Sequence, residues 1–198
     1  MAGTLPASPA PARIEIGSIQ PSLVSVAHSL KRQTRSRGGQ RWGFALTFVN
    51  RTRAQIATLA AFALAQRGQY ETFSFSPPVF GLTQSVVSGA PVVDGAQTVG
   101  RSIVTDGWAN SVTAMKAGEF VKFANHAKVY MLTADVTSNG SGQATISIEP
   151  ALYAAVANDE AITVTSVPFT CAFLSDSHEI ALNAGPLFSW QCELIESP

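Results

Sequence analysis

The chain has 198 residues, 46% hydrophobic and 13% charged, enough for one large domain or two small ones and too apolar for wholesale disorder. That charged fraction is about half the usual quarter. It reads either as surface covered by other subunits or as a Ser/Thr/Asn/Gln-rich surface on a β-protein. No apolar run approaches the roughly 18 residues of a membrane helix, so no membrane insertion is expected. The start, MAGTLPASPAPARIE, lacks the basic and apolar regions of a secretory leader, which predicts a protein made in a cytosol and not exported. Cys171 and Cys192 have no metal or redox spacing and are expected to be reduced and partly buried.

Zero net charge conceals an uneven distribution. Through Tyr70 nine basic residues face one acid, Glu15; the remainder has four basic residues against twelve acids. A positive part followed by a negative part attracts copies of itself or a charged neighbour.

In chain order, residues 1–12 are Ala/Pro/Ser-rich and predict an extended, flexible arm. A short strand is expected at Arg13–Gly17 and a second around Ser22–Leu30, where Val24, Val26 and His28 share a face. Lys31–Gln40 carries Lys31, Arg32, Arg35 and Arg37 with no apolar side chain, and reads as a solvated loop turning at Gly38-Gly39. Arg41–Phe48 alternates Trp42, Phe44, Leu46 and Phe48 with small or polar residues, which predicts a strand with one aromatic, buried face. A helix is predicted over Arg53–Arg67, with a Thr52–Gln55 capping box, an Ile56/Leu59/Phe62/Ala63 stripe and Gly68 as its left-handed stop. Gln69–Ser76 returns as a strand that Pro77-Pro78 ends.

From Val79 the texture changes. Candidate strands at Gln97–Thr105, Glu119–Ala124, Lys128–Thr137, Gln143–Glu149 and Ala161–Val167 are separated by turn signals, among them Asp106-Gly107 and Asn139–Gly142. Five short strands in this space suggest a small Greek-key or OB-like barrel, with Ala151–Ala157 as a short helix or turn. The end of the chain resumes the first texture: Phe188, Trp190, Cys192 and Leu194 alternate as Trp42–Phe48 do, and such a ribbon needs a partner of its own kind. The expectation is a mainly β chain: a discontinuous β-sandwich with one α-helix from residues 13–78 and 172–198, and an inserted OB-like β domain at 79–171. The two tryptophan ribbons should lie side by side.

Little in the sequence points to catalysis. His28, His126 and His178 are far apart with no metal-ligand spacing. His126 reads as a turn residue. His178, between Asp176 and Glu179, has acids to orient it but no nucleophile motif, and reads as a solvated loop residue. Asp159-Glu160 are adjacent, so on a strand they face opposite ways; a polar turn is expected. The glycines of NGSGQ lack the Lys-Ser/Thr of a phosphate loop and read as a tight hairpin. No catalytic, metal or cofactor site is expected. The basic stretch Lys31, Arg32, Arg35, Arg37 and Arg41 is the one polyanion candidate. Single-strand binding by an OB-type barrel also needs exposed aromatics beside a basic groove. The inserted segment has few aromatics and an acidic balance, so the two ingredients lie in different domains. Contact with an acidic patch of a neighbouring subunit, or simple solvation, is the better reading.

Three stretches together resemble one family. RWGFALTFVNRTRAQIATLAAFALAQRGQYETFSFSPP joins a Trp-bearing strand to a helix ending in Arg67-Gly68 and an aromatic strand ending at Pro77-Pro78. GEFVKFANHAKVYMLTADVTSNGSGQATISIEPAL looks like a β-rich module of phage tail tips, and FSWQCELIE returns to the first domain. Covering about half the chain, these resemble the distal tail (Dit-like) proteins of long-tailed bacteriophages; the Ala/Pro-rich start and the basic stretch match no motif of that family. The resemblance implies a structural virion protein and no enzyme or cofactor: a homo-hexameric ring at the distal end of the tail tube. The ring would link the tube protein to tail-tip hub, baseplate and fibre proteins, with an OB-like insertion facing outward and a channel that DNA passes without specific binding. Localisation would be the virion, after assembly in the host cytoplasm. The alternatives are another tail-tip structural protein, or an OB-type module binding carbohydrate or nucleic acid.

Overall fold

A computed structural model describes residues 3–78, 87–182 and 186–198. The first strands are β1 Arg13–Ile19, β2 Ser22–Val26, β3 Arg32–Ser36 and β4 Arg41–Arg51, followed by helix α1 Arg53–Ala65 and β5 Phe73–Phe75. Then come β6 Gly89–Val93, β7 Ser102–Trp108, β8 Thr113–Met115, β9 Phe120–Phe123, β10 Tyr130–Leu132, β11 Val136–Thr137, β12 Ala144–Glu149 and β13 Ile162–Thr163. β14 Phe169–Phe173, β15 Ile180–Leu182 and β16 Phe188–Glu196 close the chain. The protein is mainly β, 45% strand with one helix among the described residues, and fits a β-sandwich plus a barrel. It divides into two compact units, Met1–Phe73 with Cys171–Ser197, and Ser74–Thr170. The expected boundary at Val79 lies outside the described residues.

The first unit is organised by a sheet in the order β1-β4-β16-β14-β5, with β15 pairing β16. The two tryptophan ribbons are neighbours in it: Trp190 lies opposite Phe48, Cys192 opposite Leu46 and Leu194 opposite Phe44. Opposite residues share a face, so both aromatic rows reach the same core, where Phe48 and Trp190 stack with ring centroids 5.4 Å apart. The helix begins as its residues dictate. Thr52 accepts from Gln55 N–H while the Gln55 side chain accepts from Thr52 N–H, satisfying two otherwise orphaned donors. It buries Ile56, Leu59 and Ala63 and sets Phe62 edge-on to Phe73 at 5.1 Å. Gln66 caps its end, and Arg67 and Gly68 both turn left-handed.

The N-terminal arm is seated over its described part. Leu5 is buried, Ala12 N–H donates to the Thr47 carbonyl at 2.7 Å, and Arg51 Nη2 donates to the Ala10 carbonyl at 2.6 Å.

In the second unit a sheet runs β13-β9-β10-β12-β7-β6. An antiparallel bridge between Val92 and Ala161 brings its two edges together, leaving a nearly closed, barrel-like sheet. Its interior holds Ile103, Val121, Phe123, Tyr130, Leu132, Ile146 and Ile148. Trp108 is buried there with its indole N–H donating to Thr105 Oγ1 at 2.8 Å, which avoids the cost of an unmade buried bond. Six strands form this sheet where the sequence predicts five. The additional one, β6, contains Pro91, which has no N–H for a ladder, and its register slips between Gly89 and Val92. Asp106-Gly107, expected as a turn, is the far side of that bulge within β7; Gly107 has φ +77 and its Cα faces the Ala90 carbonyl too closely for a Cβ. Ala151–Ala157 forms no helix.

Candidate assembly surface

The feature that stands apart from both cores is a hairpin. β2 and β3 pair only with each other, with Leu23 opposite Arg35, Val24 opposite Thr34 and Val26 opposite Arg32. Every residue of both strands is exposed. This corrects the sequence reading of the basic stretch. The basic stretch is not a loop turning at Gly38-Gly39 but a strand, and the turn is at Ala27–Lys31, where Leu30 N–H donates to the Ala27 carbonyl at 2.8 Å. On β2, Leu23, Val24 and Val26 are 53%, 49% and 59% exposed.

The five basic residues are therefore spread along a ribbon. Lys31 sits at the turn, Arg32 and Arg35 on opposite faces of β3, Arg37 beyond it, and Arg41 at the start of β4. Alternation along a strand separates positions an odd number apart. One face combines Val24 and Val26 with Arg32, the other Leu23 with Arg35. All five cations are exposed. Exposed aliphatic side chains interleaved with cations on both faces distinguish this ribbon from a purely polar loop.

The sheet face turned away from the aromatic core lies open. On it Ala45 is opposite both Glu15 of β1 and Glu193 of β16, and Gly43 is opposite Gly17 and Ile195. Glu15 is paired with Arg13 at 2.7 Å. Glu193 is exposed and has no ion-pair partner among the described residues. It borders a cleft of about 250 Å³ with Ala45, Thr47, Ser175, Ser177, His178, Gln191 and Cys192.

Serine, histidine, cysteine and carboxylate thus meet in one cleft, yet the chemistry does not assemble. Burial, with the Glu193 charge in support, pushes the Cys192 thiol up to about 12, so it stays protonated near neutral pH and is no nucleophile. His178 has no hydrogen-bond partner at Nε2, and so no base–nucleophile bond of the kind acyl transfer uses. Nor is His178 the solvated residue the sequence suggests. It is half-buried, its ring 4.5 Å from Phe173 and 6.1 Å from Trp190, and burial lowers its pKa below 6.5 while Asp176 opposes that shift.

Other singled-out residues serve the fold. His126 is buried, with Nδ1 2.9 Å from Tyr130 Oη and Nε2 3.4 Å from the Ala155 carbonyl. Tyr153 N–H also donates to Tyr130 Oη; in the tautomer protonated at Nε2 the ring accepts from the phenol at Nδ1 and donates to the carbonyl. Glu160 is buried and accepts from Asn125 N–H and Ala157 N–H, which pins the turn at Asp159. Asn139 Oδ1 accepts from Ser141 and Gln143 N–H, making NGSGQ a tight turn. Cys171 and Cys192 are buried and form no disulfide. Sequence reasoning overlooks Glu196, fully buried at the end of the β16 core row and accepting from Trp42 N–H at 3.2 Å; its parity with Leu194 was the available signal. Among the described residues no three His, Cys, Asp or Glu side chains group to hold a metal, and no helix is long and apolar enough to cross a membrane.

No curated protein matches the chain. A family model described as distal tail protein pb9, B domain, matches residues 84–167, nearly the whole of the second unit. That family is a structural phage tail family not known for enzymes, and a distal tail protein domain supports a structural role in the virion. Over residues 84–167 the chain is thus similar to the B domain of distal tail protein pb9, and as a whole it is consistent with the Dit-like distal tail proteins of phages.

Proposed function

We propose that the chain works by assembly, as a ring component at the distal end of a phage tail tube. In this reading residues 13–78 and 172–198 form the ring. Residues 79–171 are an OB-like domain on its outside, and six copies enclose a channel that DNA passes without specific binding. The ring joins the tube protein to hub, baseplate and fibre proteins, and is built in the host cytoplasm before it becomes part of the virion. The hairpin with Lys31, Arg32, Arg35, Arg37 and Arg41 is the subunit contact.

The observation that carries this is the coincidence, in one chain, of a distal tail B domain and an unpartnered apolar, basic hairpin in the other unit. Two-stranded ribbons are marginal alone in water, and a head-to-tail contact that closes makes a ring. Light scattering on the eluted protein tests it, with electron microscopy of the same fraction. A six-fold mass and annular particles are expected. A monomer at every concentration, binding oligonucleotide with steep salt dependence, would overturn it.

A further inference from the structure

We infer that the hairpin of one copy lies across the open face of the next copy's sheet, with Arg32 meeting Glu193. This rests on the ring reading above and names the receiving surface.

Four observations converge. The hairpin face bearing Val24 and Val26 also bears Arg32, and all three are exposed in the single chain, so the chain's own sheet does not cover them. The receiving face carries Glu193 with no ion-pair partner among the described residues, and Glu15, held only by Arg13. These two carboxylates flank Ala45 two strands apart, about 10 Å by ordinary strand spacing. In the next row along the strands the floor is low: a Cβ at Gly17 would meet nothing within 4 Å, and one at Gly43 only Ile19 and a carbonyl at 3.9 Å. A flat ribbon with aliphatic side chains and one cation fits such a floor, since β layers approach to about 10 Å when the side chains between them are small.

The hairpin turn supports a protein occupant. Leu30 is 84% exposed and holds φ +62, a conformation that costs a branched residue about 1 kcal/mol or more and would suit glycine. An apolar side chain kept in that position gains from burial against protein and gains nothing from a phosphate backbone. Charge complementarity selects a second copy: from Ile16 to Tyr70 the chain has no acid, while Glu179 and Glu193 lie beyond it in the same unit.

Charge exchange tests the seat. Arg32→Glu and Glu193→Lys are each expected to weaken self-association of the full chain at least about tenfold in sedimentation velocity. At a dilution where all are monomeric, each should keep the wild-type thermal midpoint. The double variant R32E/E193K should recover assembly, because the pair is restored with its signs reversed. Arg35→Glu, on the other hairpin face, is the control and should weaken assembly less than Arg32→Glu. If the wild type assembles and both single variants assemble equally well, or the double variant recovers nothing, the seat is wrong while the ring stands. A wild type that stays monomeric overturns ring and seat together. Oligonucleotide binding lost in R32E with assembly unchanged would also overturn the seat, in favour of a polyanion site.

Discussion

At the scale of single residues, burial decides what each polar group does, and it rarely matches the sequence neighbourhood. His178 sits between two acids in sequence, yet its nearest rings are Phe173 and Trp190. Because burial lowers its pKa from 6.5, the unfolded chain binds a proton there more readily than the folded one. Stability contributed by the neutral ring is therefore complete above the unfolded value and falls as pH drops through 6.5 toward the folded value. Urea midpoints between about pH 7 and about pH 5 should fall in the wild type and fall less in His178→Gln; equal slopes in both would remove this account. The sequence showed none of this, because Phe173 and Trp190 come from different strands. Glu196 was more accessible to reasoning: it continues the parity of Trp190, Cys192 and Leu194, and a charged residue on a core row hides only because composition argues against burying it.

At the scale of elements, what was legible followed from side-chain period. β4 and β16 alternate aromatic with small or polar residues, and α1 has a capping box and a left-handed stop; each folds as its pattern requires. β3 was missed because RQTRS has no apolar alternation to reveal a strand; a ribbon exposed on both faces leaves no burial signal. β6 was missed because GAPVV reads as a turn with a breaker. The helix end gives the clearest mutational handle. Gly68 has φ +66, and an added Cβ would strike Asp176 Oδ1, the oxygen that accepts from Gln69 N–H at 3.0 Å. Gly68→Ala should cost at least about 1 kcal/mol from the left-handed backbone alone, with more from displacing Asp176, read as a lower urea midpoint. A neutral result would mean that the loop carrying Asp176 moves aside at no cost.

At the scale of the molecule, the two units differ in how they are encoded. The second is contiguous in sequence and has its own buried cluster from Val93 to Val164. Expressed by itself, residues 74–170 should unfold cooperatively in urea, reported by the fluorescence of Trp108, its sole tryptophan. A gradual, non-cooperative loss would show that its core depends on the rest of the chain. The first unit was visible as a likeness between the two ends of the sequence, whereas the full exposure of its hairpin was not, since only a fold locates which apolar residues are left uncovered.

The placement of β16 has a consequence for biogenesis. It lies between β4 and β14 in the sheet, and its last residue, Glu196, bonds to Trp42 across 154 positions of sequence. During synthesis the chain emerges N-terminus first, so β1 and β4 must wait, with an aromatic row unpaired, until β16 has left the ribosome. The intervening unit is free to fold in the meantime. A product terminated before β16 would present a folded second unit beside an unfinished sheet, so the strand that holds the first unit together is also the last piece that unit receives.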